Sequence, residues 1–221
     1  MSASVFEYRR FKHLIFDLDG VLIDSSPCHE NAYAELWRTL GISGPDYSKI
    51  AGRRTIEVVR QVTQELSPSE VQLGEWVSTK QETARNNMAD GLLVFTDSVQ
   101  AVRQLTGQGL ILSLATGASL KSANIALQKM GIFDCFTTIV TAEDVPKGKP
   151  DPMVFQRAME CTTISQEETL VIEDSVAGIQ AAVAAGAFVC SVRTGEQYKS
   201  DLFAGSFPDI PTALSKLGVC K

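Results

Sequence analysis

The chain of 221 residues carries a net charge of −6 and is 44% apolar, enough to fill one large domain or one domain carrying an insertion. No stretch approaches the ~20 continuous apolar residues of a membrane span, the opening MSASVFEYRRFK lacks the apolar centre of a secretion signal, and no long basic run offers a track for a nucleic-acid backbone; a cytoplasmic protein that meets neither membrane nor nucleic acid is the expectation. Five cysteines, Cys28, Cys135, Cys161, Cys190 and Cys220, form no C-x-x-C pair, and the only histidines are His13 and His29, so a disulfide framework and a zinc site are both poor readings and idle thiols are expected.

In chain order, the first predicted strand is His13–Asp17 (HLIFD). From Ser25 to Gly91 no strand pattern follows. HENAYAELWRTLGI, RTIEVVRQVTQEL and SEVQLGEWVSTKQETARNNMAD read instead as three or four amphipathic helices, with polar breaks at Ser43–Pro45 and Ser67–Ser69. Strand and helix then alternate: a helix over Ser98–Leu105, a strand over Leu110–Thr116, a helix over Leu120–Met130 stopped by Gly131, a strand over Thr137–Val140, a helix over Pro152–Glu160, a strand over Thr169–Glu173, a helix over Val176–Ala185 stopped by Gly186, and a strand over Ala187–Val192. Most of these strands are apolar throughout, as strands buried on both faces of a parallel sheet must be. The fold class expected is α/β, a doubly wound parallel sheet with an inserted α-helical domain: residues 1–24 and 92–221 form the core domain, 25–91 the insert.

Polar residues collect where the strands end: Asp17 and Asp19 after the first, Thr116-Gly117 after the second, Glu173-Asp174-Ser175 after the fourth, and Lys147-Gly148-Lys149-Pro150 just before the Pro152 helix. Each has a bland reading alone: an acidic turn, a helix cap at Thr116, a solvated lysine at Lys149, a cap at Glu173-Asp174. Ligands of open α/β sheets bind beyond the carboxyl ends of the strands, and four such stretches would converge on one rim there. On an extended segment residues i and i+2 point the same way, so Asp17 and Asp19 can address one substrate.

The set resembles the four motifs of the haloacid dehalogenase-like hydrolase superfamily: IFDLDGVLIDS, LSLATG, KGKPDP and VIEDSVAGIQAAVAAG. MGIFDCFTTIVTAEDVPKGKPDPMVF is similar to the family's approach to the third motif, and the helical insert resembles its small α-helical cap. The nearest subgroup is that of phosphoglycolate-type phosphatases and β-phosphoglucomutase.

The resemblance implies a Mg²⁺-dependent enzyme that forms an aspartyl-phosphate. Asp17 would be the nucleophile and Asp19 the general acid and then base; Asp17, the Asp19 backbone carbonyl and Asp174 would hold Mg²⁺, with Glu173 a ligand directly or through water. Lys149 would meet both the phosphate and Asp17, and Thr116 and Gly117 would bind phosphate. Asp19 sets the chain apart from the dehalogenase and phosphonate-cleaving branches, which lack an acid there. Asp24 and Ser25 read as a hinge or helix cap. In the cap, His29 reads as a substrate contact or a packed helix residue, Lys80 as a family-type cap lysine or an exposed helix lysine. Arg53 and Arg54 directly follow Gly52, where the mutase pattern has a lysine before the glycine and an arginine three after it; here those positions are Ala51 and Thr55. A phosphatase for a small phosphorylated metabolite, possessing a second anionic group to meet the arginines, is the reading preferred over a sugar phosphomutase. A non-catalytic phospho-ligand binder is the third.

Overall fold

The structure, a computed structural model, describes residues 11–51, 53–195 and 197–219; Gly52 and Cys220, named above, and the first ten residues lie outside the described residues. The chain runs β1 (His13–Phe16), β2 (Ile23–Asp24), α1 (Ser26–Leu40), α2 (Thr55–Val62), α3 (Glu70–Gly91), β3 (Leu93–Val94), α4 (Thr96–Leu105), β4 (Ile111–Ala115), α5 (Leu120–Met130), β5 (Thr138–Val140), α6 (Met153–Glu160), β6 (Thr169–Glu173), α7 (Val176–Ala184), β7 (Phe188–Val192), β8 (Phe203–Phe207) and α8 (Ile210–Lys216). It forms two compact units, one made of the chain up to Ile23 and from Val94 onward, the other of Asp24–Leu93.

The first unit holds a six-stranded parallel sheet in the order β5-β4-β1-β6-β7-β8. Side chains alternate between its faces. Ile15, Ala115, Val171 and Val189 meet Val154, Phe155 and Ala158 of α6 and Ile179, Ala181 and Ala182 of α7 in one buried cluster. Helices therefore follow the strands as crossovers, the arrangement that a parallel sheet requires. Helix ends follow local chemistry: Ser119 and Ser175 cap α5 and α7 with their side chains, and Gly131 ends α5 at φ +61°, a conformation that glycine alone takes without cost.

Four short elements depart from the sequence reading. β8 (FAGSF) is a half-buried edge strand with a glycine at its centre, so neither apolar continuity nor alternation marks it. α8 has only seven residues and follows immediately. β2 and β3 are two residues each and pair with one another. The predicted ends at Asp17, Leu110, Thr116, Thr137 and Ala187 fall one residue outside their strands.

In the second unit, α1, α2 and α3 pack through Tyr33, Leu36, Trp37, Val58, Val59 and Leu73, with Tyr33 and Trp37 stacked at 5.5 Å. Ser69 starts α3 with a reciprocal capping box to Gln72, at the polar break expected there.

The face of β1 that bears Ile15 begins with a buried histidine. His13 Nε2 lies 2.8 Å from Ser113 Oγ and Nδ1 lies 3.4 Å from Thr169 Oγ1. The Thr169 hydroxyl donates to the Ser165 carbonyl at 3.0 Å, so Nδ1 is the donor to it and Nε2 accepts from Ser113. Burial pushes His13 down from 6.5 to about 4. Between those values the unfolded chain takes up a proton that the folded one refuses, so this contribution to stability is intact above pH 6.5 and is lost as pH falls towards 4. Denaturant titrations at pH 7 and pH 4.5 are expected to show a pH-dependent loss smaller by about 2 to 3 kcal/mol in His13→Gln than in the parent. Equal losses in the two proteins would contradict the assignment.

Candidate active site

Strand register brings the motif residues to one place. Phe16 pairs with Leu114 of β4 and with Ile172 of β6, so the next residue, Asp17, emerges between Ala115 and Glu173. Its N–H still donates to the Ile172 carbonyl at 3.0 Å, which pins the backbone, and the residue is 6% exposed. Thr116 N–H donates to the Val140 carbonyl at 3.0 Å, and Thr116 Oγ1 accepts from Ala118 N–H at 3.0 Å. Thr116 is buried while Gly117 is exposed. The turn bearing Asp19 is closed by Gly20 N–H donating to the Ile23 carbonyl at 2.7 Å and by Leu22 N–H donating to the Leu18 carbonyl at 2.9 Å.

Lys149 joins three strands. Its Nζ donates to Asp17 Oδ1 at 2.6 Å, to Glu173 Oε1 at 2.6 Å and to the Ala115 carbonyl at 3.3 Å, and lies 4.9 Å from the centre of the Phe155 ring. It is no solvated surface lysine. The other oxygen of Glu173 accepts from Asp174 N–H at 2.8 Å, Ser175 N–H at 2.8 Å and Ser175 Oγ at 3.0 Å. The side-chain cap of α7 is Ser175, whose Oγ accepts from Gly178 N–H at 3.0 Å, with Glu173 behind it. Asp17, Glu173 and Asp174 each offer a carboxylate oxygen, all within 4.8 Å of one another.

Crowded buried acids change each other's protonation. Burial raises Asp17 to about 7, with Glu173 and Asp19 pushing the same way and Lys149 opposing. Burial, then Glu173 and Asp17, raises Asp174 to about 9. Glu173 goes down: burial works against its charge, but Lys149 and the N–H groups of Ser175 and Asp174 outweigh it. Burial likewise opposes the charge on Lys149, and Asp17 and Glu173 overcome it and raise the lysine. Three carboxyl groups thus meet one ammonium, too little positive charge for all three to ionise together. Hard oxygen donors at this density are what a small divalent cation such as Mg²⁺ needs, so the residues fit one.

Two glycines that the sequence reading did not single out make this crowding sterically feasible. A Cβ on Gly20, which sits at φ +77°, would overlap the Asp174 carboxylate, and a Cβ on Gly178 would overlap the Glu173 carboxylate. The signal was present as glycines at fixed offsets from the acids, one directly after Asp19 and one five after Glu173.

The remaining candidates belong to the second unit. Lys80 is 2% exposed, which corrects the reading of an exposed helix lysine. Its Nζ lies 2.7 Å from His29 Nδ1 and 4.2 Å from the centre of the Tyr33 ring. An ammonium has no lone pair to accept with, so Nδ1 of His29 is the acceptor. Burial raises the Tyr33 hydroxyl, against a Thr55 hydrogen bond and the Arg53 charge, so Arg53 acts on the same tyrosine. Arg53 is exposed, and Arg54 is the half-buried residue that precedes α2. Asp24 Oδ1 accepts from Ser26 N–H at 3.2 Å at the start of α1.

A family model described as haloacid dehalogenase-like hydrolase matches residues 14–192. The chain is 28% identical over 184 residues to hexitol phosphatase A of Escherichia coli K12, covering 83% of each protein. It is 28% identical over 188 residues to the fructose-1-phosphate phosphatase YqaB of the same organism, covering 84% of this chain and 98% of that one. Among solved structures, CbbY from Rhodobacter sphaeroides in complex with phosphate superimposes with a TM-score of 0.77 at 20% identity, covering 92% of this chain and 96% of that one.

Gly178→Ala is expected to displace the Glu173 carboxylate and with it Lys149, lowering turnover about 10- to 100-fold while the protein still folds. Steady-state kinetics with a circular-dichroism control checks this; turnover within twofold of the parent would show that Glu173 has room to move.

Proposed function

We propose that this chain, which belongs to the haloacid dehalogenase-like hydrolases and is a phosphoric monoester hydrolase, moves the phosphoryl group of a small sugar or polyol phosphate to Asp17 and from there to water. The observation that carries the reading is the buried Asp17 carboxylate at the end of β1, bonded through one oxygen to Lys149 and facing further acids.

The reaction divides into two displacements. Lys149 opposes the burial that raises Asp17 to about 7, so only a share of Asp17 is ionised near neutral pH, and a cation held by the neighbouring acids would favour that nucleophilic form. A carboxylate oxygen of Asp17 attacks phosphorus while the ester P–O bond breaks, and Asp19 gives its proton to the leaving oxygen. Asp19, now a carboxylate, takes a proton from water as the water oxygen attacks phosphorus and the Asp17–phosphate bond breaks. Thr116 Oγ1 already accepts from Ala118 N–H, which leaves its own proton to donate to a phosphate oxygen. Asp17, Asp174 and the Asp19 carbonyl would hold Mg²⁺, and Glu173, whose oxygens already accept four hydrogen bonds, would contribute through a water. Bound there, the ion neutralises charge that otherwise drives a dianionic phosphate away from Asp17.

Asp24–Leu93 would serve as the cap that selects substrate and excludes water, in line with the core-and-cap division at 25–91. His29 and Lys80 would offer a fixed polar pair, and Arg53 and Arg54 charges for a second anionic group. A phosphomutase begins with the same transfer to Asp17 and differs in the second acceptor.

Phosphate release from a panel of sugar and polyol phosphates is expected to require Mg²⁺, to stop with EDTA, and to fall at least ~10³-fold in Asp17→Asn. Retention of turnover in that variant would overturn the mechanism. With β-glucose 1-phosphate and a trace of the bisphosphate, formation of glucose 6-phosphate without matching free phosphate would instead establish the mutase.

A further inference from the structure

Arg193, the residue after β7, is one of two described non-glycine residues at positive φ, at +69°. Side-chain-bearing L residues disfavour that region, and a residue held in it invites the question of what holds it there. Its backbone N–H donates to the Phe207 carbonyl at 3.0 Å. Its guanidinium turns inward: Nη2 donates to both oxygens of Asp97, at 3.0 and 2.8 Å, and to Ser98 Oγ at 2.7 Å. Cζ lies 3.9 Å from the centre of the Phe95 ring, and the buried Nε has no hydrogen-bond partner among the described residues. An isolated surface ion pair contributes little and needs none of this.

What Arg193 grips leads back to Asp19. Ser98, fully buried, donates its hydroxyl to the Val21 carbonyl at 2.9 Å. Phe95 N–H donates to the Leu22 carbonyl at 3.1 Å. Both carbonyls belong to the turn in which Asp19 bridges to Ile23. All these residues lie in the first unit. Arg193 thus braces Phe95 and Ser98, and these brace the turn that carries Asp19.

We propose that Arg193 is a positioning residue for Asp19, acting through Ser98 and Phe95 to hold the general acid where it meets the leaving oxygen. This rests on Asp19 being that acid. Loss of the brace then matters in proportion to how much the leaving group needs a proton. An alkoxide leaving from a sugar phosphate needs one; p-nitrophenolate does not.

The experiment compares kcat/KM for the best sugar phosphate of the panel and for p-nitrophenyl phosphate, with Mg²⁺. This ratio reports only steps through the first phosphoryl transfer, which excludes the later hydrolysis from the comparison. Arg193→Gly keeps the backbone conformation available and removes the grip. It is expected to lower kcat/KM about 10- to 100-fold on the sugar phosphate and less than about threefold on p-nitrophenyl phosphate. Ser98→Ala, which cuts the link to Val21 and leaves the Asp97 pair, should give the same selectivity and serves in its place if Arg193→Gly fails to fold. Equal losses on both substrates, or no loss on either, would mean that Arg193 is only structural. Asp19→Asn is the reference and should show the same selectivity more strongly. If it affects both substrates alike, the general-acid reading itself fails, and the proposal with it.

Discussion

One ammonium group shared between Asp17 and Glu173 is the interaction on which the strand-end cluster depends. Without Lys149 the register of β1 and β6 would set two buried carboxylates side by side with no cation between them, and burial would drive protons onto them. With it, Glu173 is held ionised and Asp17 is kept from rising further. Burial and the crowding of acids, which together raise Asp17 and Asp174, are what a divalent cation would relieve, and an anionic phosphate could then approach.

The sheet makes this arrangement rigid. Asp17 still belongs to the ladder through its N–H, and Glu173 is the last residue of β6, with its carboxylate folded back onto the first N–H groups after the strand. Gly20 and Gly178 are the counterparts of the acids: each lacks the carbon atom that would occupy the space of a neighbouring carboxylate. A glycine here serves close approach, and at Gly20 a positive φ as well. The same strand face carries His13 at its other end, where burial keeps the ring neutral between two hydroxyls. β1 thus holds polar groups at both ends and apolar ones between: a base that burial keeps neutral at one end, and at the other an acid that burial raises and Lys149 opposes.

The second unit shows the same economy on a smaller scale. Lys80 sits between α1 and α3 with its charge shared between the His29 ring nitrogen and the Tyr33 face, so it is conformationally restrained in a way that a helix-surface lysine is not. Arg53 works on the hydroxyl end of that tyrosine. Under the proposed function these groups would supply fixed polarity for selecting a substrate, while the core unit would supply the reacting acids.

Much was legible along the chain because it is local. Apolar runs of four to seven residues flanked by helical patterns pointed to a parallel α/β sheet, and the motif residues at their ends carried the likeness to the family. FAGSF was illegible because an edge strand held by its neighbour's hydrogen bonds needs little apolar content of its own. Lys80 was ambiguous because its neighbours in sequence are polar, and only the packing of α1 on α3 covers it. Arg193 gave no signal, since the residues it grips lie nearly a hundred positions earlier. By itself the sequence determined the fold class and which side chains had chemistry to offer. Tertiary structure alone decided the register that sets Asp17 beside Glu173, the 132-residue closure that brings Lys149 to them, and the sharing of its protons. The reason is physical: strand and helix preferences are properties of neighbours in the chain, whereas the alignment of parallel strands is settled by how helices pack across the whole sheet.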